Sequence, residues 1–315
     1  MSMQDYPPDP NPPAMTPPST GTPASDYTIP QQFTPPAKRS DPLVLPTGST
    51  YGAWFSTVSE VAKRSWKSLL IISAIGIAAP LGIVTLISYV MGVGGTFTFF
   101  SLFSHPGLGF VGFVGAMFIK LVLLVAASFV AGVGWAAGSW ALVQEAKSGQ
   151  SANVNAAFQY GMKRAMRLFP WTVAAGLACV FGVFFFWVPG LFLAFAVSLF
   201  GFVAVFEPAP NPLMRSWTLV QKSIGSSLAR IGTLFGVYLV YYWIISLIVL
   251  VLSLPFRIFT SGATRGFGVG FFEMIGTFLL APGFAFLLIG LLVTYSELRA
   301  QEGPTSTDTL ATELG

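Results

Sequence analysis

The side chains able to do chemistry in this chain are few, and their positions exclude more than they permit. There is one histidine, His105, in a His-Pro-Gly turn, and one cysteine, Cys179, inside an apolar run. A metal-dependent hydrolase needs clustered histidine and carboxylate ligands, and no second ligand lies near His105 in sequence. A single cysteine leaves no disulfide and no cysteine-based metal site within one chain. No Gly-x-Ser-x-Gly elbow and no Walker loop is present. Gly107, Gly109 and Gly112 match a dinucleotide fingerprint literally, but no strand precedes them and apolar residues surround them. The chain therefore reads as a non-enzyme, with no catalytic residue, cofactor or metal ligand expected.

One polar stretch stands out, from Glu207 through Pro208, Pro210 and Pro212 to Arg215, Ser216 and Trp217. Glu207 ends an apolar run, where a carboxylate meets the negative end of a helix dipole and needs a cation close by. Arg215 and Arg230 are the nearest downstream candidates. The spacing predicts that Glu207 pairs with Arg215 and braces a short amphipathic helix carrying Leu213, Trp217, Val220 and Ile224 on one stripe. Glu297 and Arg299 are expected to form a similar network.

The elements that position these residues are membrane spans. The composition is 54% hydrophobic and 9% charged, whereas soluble domains carry roughly 25% charged residues. Six apolar runs, near 69–94, 116–143, 169–188, 191–207, 231–254 and 272–296, are each long enough to cross a bilayer. Backbone groups in lipid must be satisfied within the segment, so helices follow. The expected fold is all-α: a polytopic helical membrane protein of about six transmembrane helices in three hairpins. Lysines and arginines crowd the connections before spans one, three and five, which places both termini in the cytoplasm of a cell-membrane protein. No basic region followed by an apolar core opens the chain, so no cleavable signal peptide is expected.

Lys63, Arg64 and Lys67 before span one echo Lys163, Arg164 and Arg167 before span three. Both sets lie opposite apolar stripes at helical spacing, so interfacial helices are expected there, with these six cations meeting anionic lipid headgroups. Nucleic acid is not an expected partner. No Asp or Glu falls mid-run: Glu145, Glu207, Glu273 and Glu297 sit at run ends, and Lys120 is expected to snorkel at an outer rim. Pro80 with Gly82, and Pro282 with Gly283, predict helix breaks; Val188, Pro189 and Gly190 predict a tight turn. Gly134/Gly138 and Gly232/Gly236 are GxxxG steps, expected to pack within the chain. The glycine-rich stretch 262–270 reads as a short, mobile outer loop.

Three regions follow: a Pro-rich, disordered cytoplasmic tail over 1–50, a membrane domain over 51–300, and a short C-terminal tail over 301–315. The overlapping PxxP spacing of Pro7, Pro10 and Pro13 makes the first tail a candidate docking segment for other envelope proteins.

The spacing from Glu207 to Arg215-Ser216-Trp217 with Leu219, and the ending Tyr295, Glu297, Leu298, Arg299, Glu302 and Gly303, resembles the membrane domain of glycerophosphoryl diester phosphodiesterase membrane-domain proteins. The Pro189-Gly190 turn and the helix from Ser151 to Arg167 fit the same pattern, over roughly residues 50–303. The three prolines before Arg215 depart from it. The tail composition resembles that of actinobacterial membrane proteins. The resemblance implies about six spans and no activity of their own, since the phosphodiesterase domain of some members is absent here. The expected function is a scaffold or accessory protein of the envelope with lipid or protein contacts. The alternative is a lipid or small-molecule transporter without a midplane ion relay.

Overall fold

The computed structural model describes residues 41–91, 109–185 and 187–315. Residues 1–40, with their PxxP and Thr-Pro steps, and His105 and Gly107 lie outside the described residues. Eleven α-helices are described, with no strand among the described residues. They are α1 (Tyr51–Ser73), α2 (Ala79–Val90), α3 (Gly109–Ser148), α4 (Val154–Phe185), α5 (Trp187–Ala196), α6 (Phe200–Phe206), α7 (Pro212–Lys222), α8 (Ile224–Phe259), α9 (Gly262–Leu279), α10 (Ala281–Ala300) and α11 (Thr307–Leu314). Five helical stretches among the described residues are long and apolar enough to cross a membrane. This is a polytopic helical membrane protein.

The centre of the bundle is α10, whose residues are nearly all buried from Leu287 to Leu298. Helices α1 and α8 pack along it, α3 packs on α1 and α4, and α9 fills the space between α2 and α8. The most exposed long helix is α8, which presents Leu239, Val240, Trp243 and Leu247 outward. Such a face is stable only against lipid or another apolar surface.

Helices α1 and α2 form one continuous stretch with a π-helical segment, Ala74–Ala78, between them. Pro80 explains it. Proline has no N–H to give the carbonyl of Gly76 and its ring crowds that carbonyl, so the backbone widens by one residue there. Gly76 also lies against Gly134 of α3, where an added Cβ would come within 2.5 Å of the Gly134 Cα. The first GxxxG step thus packs within the chain. Gly232 and Gly236 do not: an added Cβ at either meets nothing within 4 Å, which corrects the expectation for that step.

The amphipathic segments before spans one and three are not separate interfacial helices. They run on without a break into α1 and α4. The third, α7, is a separate helix capped by Asn211, whose side chain accepts from the Met214 N–H. The expected turn at Val188–Gly190 is not a turn: these residues fall in the first turn of α5. Gly182 and Gly190 then approach so closely that a Cβ at Gly182 would lie 2.9 Å from the Gly190 Cα.

The stretch 262–270 is helical, as the start of α9. Its glycines serve close packing: a Cβ at Gly266 would lie 2.6 Å from the Tyr89 carbonyl oxygen, and one at Gly268 would run into Phe256. Small residues that bring membrane helices together are the same letters that mark turns in soluble chains.

Both region boundaries move. Residues 41–50 belong to the membrane unit, with Leu43 fully buried in its core. The carboxylate of Asp41 accepts from the N–H groups of Leu43 and Val44 at 2.9 and 2.8 Å, and from the Thr307 N–H at 2.8 Å. The expected C-terminal tail holds α11, whose Leu310 and Leu314 are buried in the same core. Short apolar pairs inside polar segments carry this packing, and averaged composition hides them.

Candidate functional site

Two polar regions lie at different heights of the bundle. The first is an ionic end, built around Glu207 at the C-terminus of α6. Its Oε2 accepts from Arg215 Nε at 2.7 Å, and its Oε1 accepts from the Tyr295 hydroxyl at 2.9 Å. The Glu207 backbone carbonyl accepts from Arg167 at 2.8 Å. Tyr295 is fully buried and stacks on Phe202 and Phe206, with centroids 5.8 and 5.7 Å away. The expected Glu207–Arg215 pair is therefore present, and it offsets the dipole penalty at that helix end.

Arg215 uses its other face as a fork on Glu302, which Lys222 also joins. The hydrogen bonds to Glu302 raise the Arg215 guanidinium above its ordinary value, against a smaller opposing effect of burial. The same hydrogen bonds from Arg215, helped by Lys222, hold the Glu302 carboxyl below its ordinary value.

Ser216 and Trp217 repair a broken span. The fourth apolar run is interrupted between α5 and α6, which leaves backbone groups unpaired. The Ser216 hydroxyl donates to the Ala196 carbonyl at 2.8 Å and accepts from the Leu199 N–H at 3.2 Å. Trp217 packs edge-on against Phe192 of α5 at 5.2 Å. Arg215, Ser216 and Trp217 thus have three distinct tasks: charge pairing, backbone satisfaction and packing.

Glu297 and Arg299 do not share one network. Glu297 pairs with Arg230 in the interior, and the second arm of Arg230 donates to the Ser49 carbonyl at 2.8 Å. Arg299 forks onto Glu313 of α11 and approaches Glu207 only at 4.0 Å. Glu313 was not among the expected residues, and Arg230, Tyr295 and Glu302 were named without the partners they have here. The arginine and glutamate counts flanking α7 and α10 were the available signal, but partners dozens of residues apart carry no spacing pattern.

The six cations assigned to lipid headgroups divide. Lys63, Lys67 and Lys163 are exposed. Arg164 instead donates to Tyr160 and to the Leu314 carbonyl, and Arg167 holds Glu207. Arg64 is half-buried with its Nε and Nη2 enclosed. A guanidinium fork finds more partners in folded protein than an ammonium does, and the three lysines remain outside.

The second polar region is a cavity of about 360 Å³ bounded by α2, α3, α8, α9 and the start of α10. Lys120 of α3, Tyr89 of α2, Tyr238 and Tyr242 of α8 and Glu273 of α9 line it, together with apolar side chains such as Ile245 and Phe284. Glu273 accepts from Arg257 at 3.0 Å and from the Tyr89 hydroxyl at 3.4 Å. Glu273 was expected at a span end, but α9 begins at Gly262, so the carboxylate sits about 16 Å along the helix. Lys120 likewise sits about 16 Å along α3, which begins at Gly109. It lines the cavity. The signal missed was the glycine-rich start of α9, read as loop.

Among the described residues no group of three or more His, Cys, Asp or Glu could hold a metal ion. The fold and these two regions define a polytopic helical membrane protein with an ionic end and a polar-lined cavity. No protein-family model, curated protein or solved structure matches the chain.

Proposed function

We propose that this is a non-enzymatic protein of the cell membrane whose working part is the groove, and that it takes up a molecule from the bilayer. The observation that carries the reading is the groove's position. Helices α3 and α8 flank it without packing extensively on each other, so it opens sideways. Its borders carry outward apolar residues such as Leu121, Val122 and Trp243. A polar-lined cavity inside an apolar band is costly to maintain and marks a substrate path or binding site more often than a structural need. This favours lipid or small-molecule handling over a purely structural role.

The termini belong on the cytoplasmic side in this reading, with Lys63, Lys67 and Lys163 at anionic headgroups. The contact of Asp41 with Thr307 supports a common side for both ends of the membrane unit. The resemblance to the phosphodiesterase-associated membrane domain is kept as a proposal about ancestry and brings no activity. A scaffold role is the second reading, favoured by Gly232 and Gly236, which sit unpacked on the exposed face of α8. The Pro-rich segment would then engage other envelope proteins.

The test is native mass spectrometry of the full chain released in its own bilayer patch, beside a chain lacking residues 1–40. Retention of lipid by both proteins is expected. A stoichiometric protein partner that disappears on deletion, with no lipid retained, would overturn the groove reading in favour of the scaffold.

A further inference from the structure

The geometry points to a neutral polyhydroxyl group as the groove's ligand, carried by the sugar or glycerol head of a lipid or by a soluble polyol. This rests on the reading of the groove as a binding site given above and names the ligand class for the same site.

The first argument is how the hydroxyls of the wall are spent. Thr85 and Ser88 of α2 donate to the Leu81 and Val84 carbonyls at 2.9 and 2.7 Å, and Thr277 of α9 donates to the Glu273 carbonyl at 2.9 Å. Tyr89 gives its proton to the Glu273 carboxylate. All four line the cavity. A hydroxyl has one proton and two lone pairs, and one that has bonded back to its own helix can only accept. The carboxylate adds acceptor capacity, since Arg257 and Tyr89 both bond to its Oε1. Such a wall is completed by a ligand that brings O–H donors. Tyr238, Tyr242 and Ser246, also in the lining, can give protons to the ligand's own oxygens in return.

The second argument is spacing. Tyr238, Tyr242 and Ser246 recur every four residues on α8, so they share one face over about 12 Å of helix. Thr85 and Tyr89 on α2, and Glu273 and Thr277 on α9, are also four apart. The polar groups thus come in rows, one helical turn between members. A ligand with several hydroxyls matches such rows, and one with a single polar atom does not.

Charge gives the third argument. Arg257 answers the Glu273 carboxylate at 3.0 Å, so no further cation is called for, and Lys120 is already engaged. An anion would bring more acceptors to a wall of acceptors. A neutral ligand meets neither objection, and its carbon skeleton finds apolar surface at Ile245, Leu280 and Phe284. The volume of about 360 Å³ lies near the lower bound of small-molecule sites, which suits a compact polyol.

The experiment uses the full chain in phosphatidylcholine discs holding equal amounts of monoglucosyl diacylglycerol and phosphatidic acid, with methyl glucoside in the buffer. Bound molecules are counted by native mass spectrometry, and thermal unfolding confirms that each variant is folded. The wild type should retain the glucolipid over phosphatidic acid and phosphatidylcholine. Ser88→Ala combined with Thr277→Val removes two acceptors and should cut that preference about tenfold, whereas Thr277→Ser should keep it. Thr172→Val removes a hydroxyl bonded back in the same way on α4, outside the lining, and should also keep it. If Thr172→Val loses as much as the double variant, the wall hydroxyls are not the cause and the inference falls. Preference for phosphatidic acid, or equal retention of all three lipids abolished by Ser246→Trp, would sink the neutral polyol and leave the bilayer-ligand reading intact. Methyl glucoside bound with no lipid retained would support the polyol and overturn the bilayer-ligand reading. No bound molecule on the folded wild type would overturn both.

Discussion

Arg230 and Glu297 pair inside the bundle, 3% and 1% exposed, although they stand 67 positions apart in the chain. The pair joins α8 to α10, and through Ser49 it also ties down the segment that leads into α1. Two charges held out of water in this way depend on each other, because neither can be re-solvated when the other is removed.

Arg230→Ala should therefore lower stability by about 3–5 kcal/mol, the range seen when one partner of a buried pair is lost. Lys222→Ala, at the exposed rim of the Glu302 cluster, should cost at most about 1 kcal/mol. Arg215→Ala should fall between them, since that side chain is partly exposed. Thermal unfolding in one detergent orders the three, and equal small losses would show that the ionic end does not brace the bundle.

Ser216→Ala removes a hydroxyl that satisfies both sides of the α5–α6 break. It leaves the Ala196 carbonyl and the Leu199 N–H buried without that partner, at a cost of about 1–3 kcal/mol. Limited proteolysis should then cut first between residues 196 and 200. Unchanged cleavage and unfolding temperature would mean that the break holds itself.

The glycines of α9 and α8 give opposite expectations. Gly266→Ala puts a methyl against the Tyr89 backbone, where an added Cβ would lie 2.6 Å from the carbonyl oxygen, and should destabilise clearly. Gly236→Ala meets nothing within the chain and should be neutral or gain up to about 1 kcal/mol from helix propensity. A marked loss at Gly236, seen as a lower unfolding temperature, would reveal a helix from a second molecule on that face.

The clasp between Asp41 and Thr307 has a definite pH dependence. Burial raises the Asp41 carboxyl, but the hydrogen bonds from Thr307, Leu43 and Val44 outweigh it and hold the group below its ordinary 3.8. A depressed carboxyl contributes stability that is complete above its unfolded value and is lost as pH falls through the folded value. Hydrogen exchange over 307–314 should therefore be flat from pH 5 to 8 once corrected for the intrinsic rate. Protection should fall only below about pH 4. Asp41→Ala should raise exchange at neutral pH and remove the acid step.

Much of the architecture was legible from hydropathy, because lipid imposes long apolar helices. The pairing of Glu207 with Arg215 was legible too, being local and demanded by a helix dipole. Tyr295 was not, since nothing in its spacing says that its hydroxyl reaches a carboxylate 88 residues earlier. The groove escaped for a similar reason: its lining comes from five helices, and Lys120 and Glu273 lie on different ones. The glycines of α9 misled because a turn and a close helix crossing ask for the same absent side chain.

The clasp also orders events during synthesis. Asp41 leaves the ribosome 266 residues before Thr307, its partner, so the N-terminal segment has to wait for nearly the whole chain before it can dock. A nascent protein stopped anywhere before α11 would leave Asp41 without Thr307. The finished protein joins the two ends of its membrane unit, a closure that no shorter chain can make.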